Sequence, residues 1–288
     1  MSKTVIADIP IERRQRAIMS RKKDLNIYEQ ITDPNEPAKA PKRHRRKPVL
    51  LNEMSPFAIK EAYKAVRANI NFAIGAKKGC KIFLITSSVS AEGKTTTAVN
   101  LAITFGQTDA KVLLIDADMR KSSIHRYIGI KNTLGLSNVL SGYTQLNEII
   151  KKTPYGFDCM TAGPTPPNPA ELLLAQPCDD LLSTLSEYYD YIIIDTPPVG
   201  IVSDCLALIE KVDGVVITIR EYYCVHEQLE KSISALKFAN ARILGFILND
   251  SKGNGKTYKY RYRYSYRYNY RKGFSGYDYY DNYSDYTY

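Results

Sequence analysis

The segment Ser88-Val-Ser-Ala-Glu-Gly93-Lys94-Thr95-Thr96 joins small residues to a lysine and two threonine hydroxyls. A loop of this composition can close its backbone N–H groups around phosphate oxygens. Gly93 permits close approach, Lys94 would reach the β- and γ-phosphates, and the Thr95 hydroxyl would bind Mg²⁺. Ser88, Glu92, Gly93, Lys94, Thr95 and Thr96 are therefore candidate nucleotide-binding residues. The strict pattern has glycine where this chain has Ser88. Two further segments carry carboxylates: Val112-Leu-Leu-Ile-Asp116-Ala-Asp118-Met-Arg120 and Tyr191-Ile-Ile-Ile-Asp195-Thr-Pro197-Pro198. Asp195 is placed to hold a metal, directly or through water. Asp116 or Asp118 would orient an incoming nucleophile.

Those side chains need elements that bring them together. The loop directly follows the apolar run Ile82–Thr86. Residues 94–106 read as a helix whose positive dipole end faces the anion. Nearly continuous apolar runs recur at Val112–Asp116, Tyr191–Asp195, Gly214–Ile219 and Ile243–Leu248, with a weaker one at Asp158–Thr161. Such runs suit parallel strands covered on both faces. Helical patterns fall near 94–106, 170–187, 204–211 and 226–239. Strands alternating with helices predict an α/β fold with a doubly wound parallel sheet. In such a sheet the three motif-bearing strand ends share one edge. Ahead of them, Ser55-Pro56 predicts a helix start. Phe57, Ile59, Ala62, Tyr63, Val66, Ile70 and Ala73 would give that helix its apolar face, and Glu61, Lys64 and Arg67 a neighbouring one.

Charge divides the 288 residues into three parts. Residues 1–50 carry 13 Lys/Arg against 6 Asp/Glu, and residues 251–288 carry 8 against 3, whereas the middle is almost neutral. Residues 1–50 thus read as a disordered basic extension, with a short helix near Pro10–Asp24 as an option. Residues 51–251 read as the globular domain and 252–288 as a flexible tail. The five cysteines are scattered without a Cys-x-x-Cys pair, which argues against a disulfide framework or zinc site. No apolar run is long enough to span a bilayer, and the N-terminus lacks a secretory h-region. The expected location is the cytoplasm.

The three motifs, in this order, resemble the Walker A, A′ and B motifs of the bacterial tyrosine kinases, a P-loop family. The segment Gly163-Pro-Thr-Pro166-Pro167-Asn168-Pro169-Ala-Glu171-Leu172-Leu173 is similar to a characteristic stretch between A′ and B. The resemblance covers about residues 55–250 together with the tyrosine-rich end, and implies a P-loop fold using ATP and Mg²⁺. It implies that Lys94 and Thr95 bind nucleotide and metal. Asp116 would be the base at the tyrosine hydroxyl, Asp118 would act at the metal, and Asp195 would complete the metal site. Glu61-x-x-Lys64-x-x-Arg67 resembles the family's self-association helix. Lys64 replaces an arginine there and so loses the bidentate fork. The loop departs from the common Pro-Gly-Glu-Gly-Lys form at Ser90-Ala91.

The tail supplies the acceptor in this reading. Tyr258, Tyr260, Tyr262, Tyr264, Tyr266, Tyr268 and Tyr270 alternate mostly with Lys and Arg. Tyr277, Tyr279, Tyr280, Tyr283, Tyr286 and Tyr288 follow among aspartates. About 30 extended residues would span roughly 100 Å, enough to reach a neighbouring subunit. Each phosphate adds about −1.5 to −2, so roughly three reverse the tail's charge. The resemblance further implies a role in capsular or extracellular polysaccharide synthesis, a ring-forming homo-oligomer, a cognate tyrosine phosphatase, and a transmembrane adaptor of chain-length-regulator type that holds the kinase at the inner membrane face. A tail binding single-stranded nucleic acid is the weaker reading. A partitioning ATPase of the ParA/MinD kind is the alternative from another class, but Val89 stands where that group carries an extra lysine.

Overall fold

The computed structural model describes residues 50–221 and 223–251, together with the backbone of residues 5–10. Apart from Pro10, the proposed helix near Pro10–Asp24 lies outside the described residues, as do all the tail tyrosines. The elements in chain order are β1 (Val5–Pro10), α1 (Phe57–Ile74), β2 (Lys81–Ser87), α2 (Lys94–Gly106), β3 (Val112–Asp116), α3 (Ile124–Ile128), α4 (Leu136–Leu140), α5 (Leu146–Ile149), β4 (Ile150–Lys152), β5 (Asp158–Met160), α6 (Pro169–Leu174), α7 (Gln176–Ser186), β6 (Tyr191–Asp195), a 3₁₀ helix (Asp204–Lys211), β7 (Gly214–Arg220), α8 (His226–Phe238) and β8 (Ile243–Ser251). Among the described residues the strands form one sheet in the order β1-β8-β7-β2-β6-β3-β5-β4. Every pairing is parallel except β4 with β5.

Side chains alternate across the sheet, and both faces are covered. Phe83, Ile85, Leu114, Ile193 and Val216 join one core, packed on by α1 and α2. Their neighbours Leu84, Leu113, Ile115, Ile192, Val215 and Ile217 join the other, packed on by α6, α7 and α8. Two buried faces explain why these strands read as unbroken apolar runs. The expected doubly wound α/β sheet is what forms.

Several local expectations change. Helix 170–187 is two helices, broken at Ala175, which is extended. Pro177 has no N–H to donate to Leu173, so a continuous helix would lose a bond and meet the ring. Helix α1 starts one residue later than expected, with Pro56 as N-cap, and Ser55 Oγ accepts from the Asn52 N–H at 3.0 Å instead. Phe57 is 75% exposed and leaves the apolar face, while Ile74 joins it. Residues 1–50 are not wholly an unstructured extension, because Val5–Pro10 lies parallel to β8 and covers its open edge. Five of those six residues carry no charge, and an unpaired strand edge offers a row of backbone partners.

Candidate functional site

Parallel register decides where the motifs meet. Asp195 pairs with Ile85 of β2 on one side and with Asp116 of β3 on the other. The loop after β2 and both carboxylate strand ends therefore share one edge of the sheet. Helix α2 begins there. Gly93 caps it in the left-handed region at φ 91°, where a side chain would be strained. The helical ladder starts with Thr97 N–H donating to the Gly93 carbonyl at 2.8 Å, so the amides ahead of it lie outside the ladder.

Lys94 Nζ reaches Asp118 Oδ2 at 2.9 Å and Asp195 Oδ1 at 3.6 Å. Burial works against its charge, but Asp195, Asp118 and Asp116 outweigh this and raise its pKa. Thr95 Oγ1 donates to Asp195 Oδ2 at 2.6 Å, and Ser123 Oγ donates to Thr95 Oγ1 at 3.2 Å. Thr96 lies to one side, its hydroxyl 3.3 Å from Tyr127 OH. The carboxylates of Asp116 and Asp195 are fully buried, and Asp118 nearly so. Asp116 Oδ2 accepts from the Ser123 and Ile124 amides at 3.0 and 3.1 Å, capping α3, and Oδ1 accepts from the Asp118 amide at 3.2 Å. Burial, and then the nearby Asp195 charge, push the Asp116 carboxyl up to about 7 against the pull of those amides and Lys94. The Asp195 carboxyl is also raised, chiefly by burial.

Metal fit follows from the same atoms. Asp195 Oδ1 is buried without a hydrogen-bond partner, beside the Thr95 hydroxyl. Among the described residues no group of three or more His, Cys, Asp or Glu converges as a cage. Mg²⁺ suits such a place, because it keeps several waters and takes one or two protein oxygens alongside phosphates.

Not every candidate lines this point. Glu92 is fully buried, and its carboxylate accepts from the Val89 amide at 2.9 Å and the Arg220 amide at 3.3 Å. It braces the loop from within, and burial raises its pKa. Ser88 is buried in the same turn. In α1, Lys64 pairs with Glu61 at 2.7 Å, and the Arg67 guanidinium donates to the Thr104 carbonyl in α2. The sequence reading missed Asn249, which touches the loop, and Arg120, whose fork grips buried Asp204 at 2.7 and 2.9 Å. The rule that singled out Asp195, a polar residue ending an apolar parallel strand, also fits Asn249 in Ile-Leu-Asn249-Asp250.

Residues 80–244 match the family model described as "AAA domain". The chain is 39% identical over 193 residues to tyrosine-protein kinase YwqD of Bacillus subtilis (strain 168), an alignment covering 67% of this chain and 81% of that protein. It is 35% identical over 211 residues to the putative tyrosine-protein kinase CapB of Staphylococcus aureus, covering 73% and 92%. The solved kinase domain of Escherichia coli tyrosine kinase ETK superposes with a TM-score of 0.68 at 31% identity, covering 86% of this chain and 90% of that one. These likenesses favour the kinase reading over the partitioning ATPase. The chain belongs to the bacterial tyrosine-protein kinase family.

Proposed function

We propose that this protein-tyrosine kinase moves the γ-phosphoryl group of ATP to the tyrosines of its own tail, Tyr258 to Tyr288, in a neighbouring subunit. One observation carries the reading: Lys94, Thr95, Asp118 and Asp195, drawn from three separate motifs, converge within hydrogen-bond or ion-pair distance. Lys94 would leave its carboxylates for the β- and γ-phosphates. Thr95, with Asp195 and Asp118, would hold Mg²⁺, which neutralises phosphate charge when bound. Phosphoryl transfer depends mainly on such positioning and neutralisation. Asp116 would accept the proton as the tyrosine oxygen forms its bond to the γ-phosphorus and the bond to the β–γ bridging oxygen breaks, releasing ADP. Its carboxyl, pushed up to about 7 by burial and the nearby Asp195 charge, suits a base near neutral pH.

The finer setting is part of the same proposal. The kinase would assemble as a ring through α1, using Glu61, Lys64 and Arg67, with a transmembrane adaptor holding it at the inner membrane face. A cognate phosphatase would reset the tail, and the output would be control of capsular or extracellular polysaccharide synthesis. Among the described residues no helix is long and apolar enough to cross a membrane. Membrane anchoring in this reading rests on the partner.

Incubation with Mg²⁺ and γ-labelled ATP, followed by phosphosite mapping, tests the proposal. Label should fall on Tyr258–Tyr288 and disappear in Lys94→Met. ATP hydrolysis without tyrosine labelling, or labelling that persists in folded Lys94→Met protein, would overturn it.

A further inference from the structure

The last strand before the tail is built into the phosphate loop. Asn249 Nδ2 donates to the Glu92 carbonyl at 2.9 Å. It also lies hard against Gly93, where a Cβ would come within 1.9 Å of that nitrogen. Asn249 is held in turn, because its carbonyl accepts from the Glu221 amide at 3.1 Å. The next residue, Asp250, sits in the left-handed region at φ 57°, and Arg220 grips its Oδ2 with two donors at 2.9 and 2.6 Å. Arg220 closes the circuit by donating its own amide to the Glu92 carboxylate. Glu92 is thus held twice, at its carboxylate from β7 and at its carbonyl from β8.

A trans peptide is planar, with its N–H directed opposite to its C=O. Fixing the Glu92 carbonyl on Asn249 therefore aims the Gly93 amide to the other side, away from β8. Glycine tolerates both signs of φ, so nothing in Gly93 itself prevents this peptide from turning over. A flipped peptide would exchange a donor for a carbonyl oxygen in a loop that must receive phosphate. We propose that Asn249 is a positioning residue that locks the Glu92–Gly93 peptide in its phosphate-binding orientation, with the Arg220–Asp250 pair fixing the strand end that carries it. This deepens the proposed function and rests on the nucleotide-binding part of that reading.

The test uses the full-length protein labelled with ¹⁵N-glycine, comparing wild type with Asn249→Asp, which keeps the shape but removes the donor, and with Asn249→Ala. Mg-ADP affinity should fall about tenfold, the scale of one lost hydrogen bond. In the ligand-free variants the Gly93 amide should show a second signal or millisecond exchange broadening. Both variants should stay folded, with a urea midpoint lowered by no more than one lost hydrogen bond accounts for. Unchanged affinity would overturn the proposal. So would weakened affinity with a single sharp Gly93 amide, because Asn249 would then act on the ligand and not on the loop. Neither readout needs phosphoryl transfer, so a failure of the kinase reading leaves this test intact.

Discussion

The two edges of the sheet use aspartate in opposite ways. At the edge where the strands begin, Asp213 is half-buried and Asp190 exposed, and both tie neighbouring segments together. Asp213 Oδ2 accepts from the Ile82 amide at 2.8 Å and Asp213 pairs with Lys77 at 2.7 Å, while Asp190 Oδ2 accepts from the Lys111 amide at 2.7 Å. At the edge where the strands end, Asp116 and Asp195 are wholly buried side by side, with Lys94 the cation they share. The first arrangement stabilises the fold with little desolvation, because water still screens the charges. The second holds like charges together in a dry place, and one oxygen, Asp195 Oδ1, has no hydrogen-bond partner. A fully buried Leu or Phe contributes roughly 1.5–3 kcal/mol. The cores formed by Phe83, Leu84, Leu114 and their neighbours can carry a site that opposes folding. The unfavourable edge is the one on which the proposed mechanism draws.

Removing the shared cation tests this most severely. Lys94→Met leaves Asp118 and Asp195 buried without their counter-charge, and breaking a buried pair costs about 3–5 kcal/mol. Urea unfolding of the nucleotide-free protein at neutral pH should register a loss of that order, shrinking in acid as Asp195, whose pKa burial raises, takes up its proton. A Lys94→Met protein as stable as wild type at neutral pH would mean that the site is not strained.

The next effect is a pH slope. Burial and the Asp195 charge push the Asp116 carboxyl up to about 7, above the ordinary carboxylate range, so the folded state holds its proton more tightly than the unfolded chain. Its contribution is most favourable below the ordinary carboxylate range, is lost as pH rises from about 4 toward 7, and levels off above. Asp195 is shifted in the same direction. Unfolding free energies of ligand-free protein across this window should therefore fall with pH, and fall less steeply in Asp116→Asn. An equal slope in both proteins would remove Asp116 as the source.

The sequence disclosed some of this and not the rest, for physical reasons. Strand runs such as Val112–Asp116 and Tyr191–Asp195 were legible to the residue because both faces are apolar. The short helices α3, α4 and α5 were not, since four or five residues carry too little periodicity to read. Helix α3 owes its start to Asp116, whose carboxylate accepts from the Ile124 amide, a contact that no local pattern reveals. The strand Val5–Pro10 was hidden by its basic surroundings, because its pairing depends on an edge supplied by β8, at the far end of the domain. Within the site, Lys94, Thr95 and Asp195 could be named from motif chemistry. Glu92 was assigned to the ligand because its place in the motif says nothing of where its carboxylate points, and the structure turns it inward.

The smallest effects belong to the opposite edge, and they sharpen the contrast. Asp213→Ala removes the acceptor for the Ile82 amide at the start of β2. It should cost about 1–2 kcal/mol, the scale of one hydrogen bond to a charged group near water. Lys77→Ala removes only the outer half of that arrangement. The Lys77 side chain is 42% exposed. Its loss should cost about 0.5 kcal/mol at most, and the effect should vanish in high salt. Neither change should alter Mg-ADP affinity, because β2 lies between this edge and the phosphate loop and its buried residues, Ile82 to Ser87, stay packed. Equilibrium unfolding and calorimetric titration of the two variants check both statements. A tenfold loss of affinity in Asp213→Ala would show that strain at one end of β2 is felt at the other, and the two edges would then form one device.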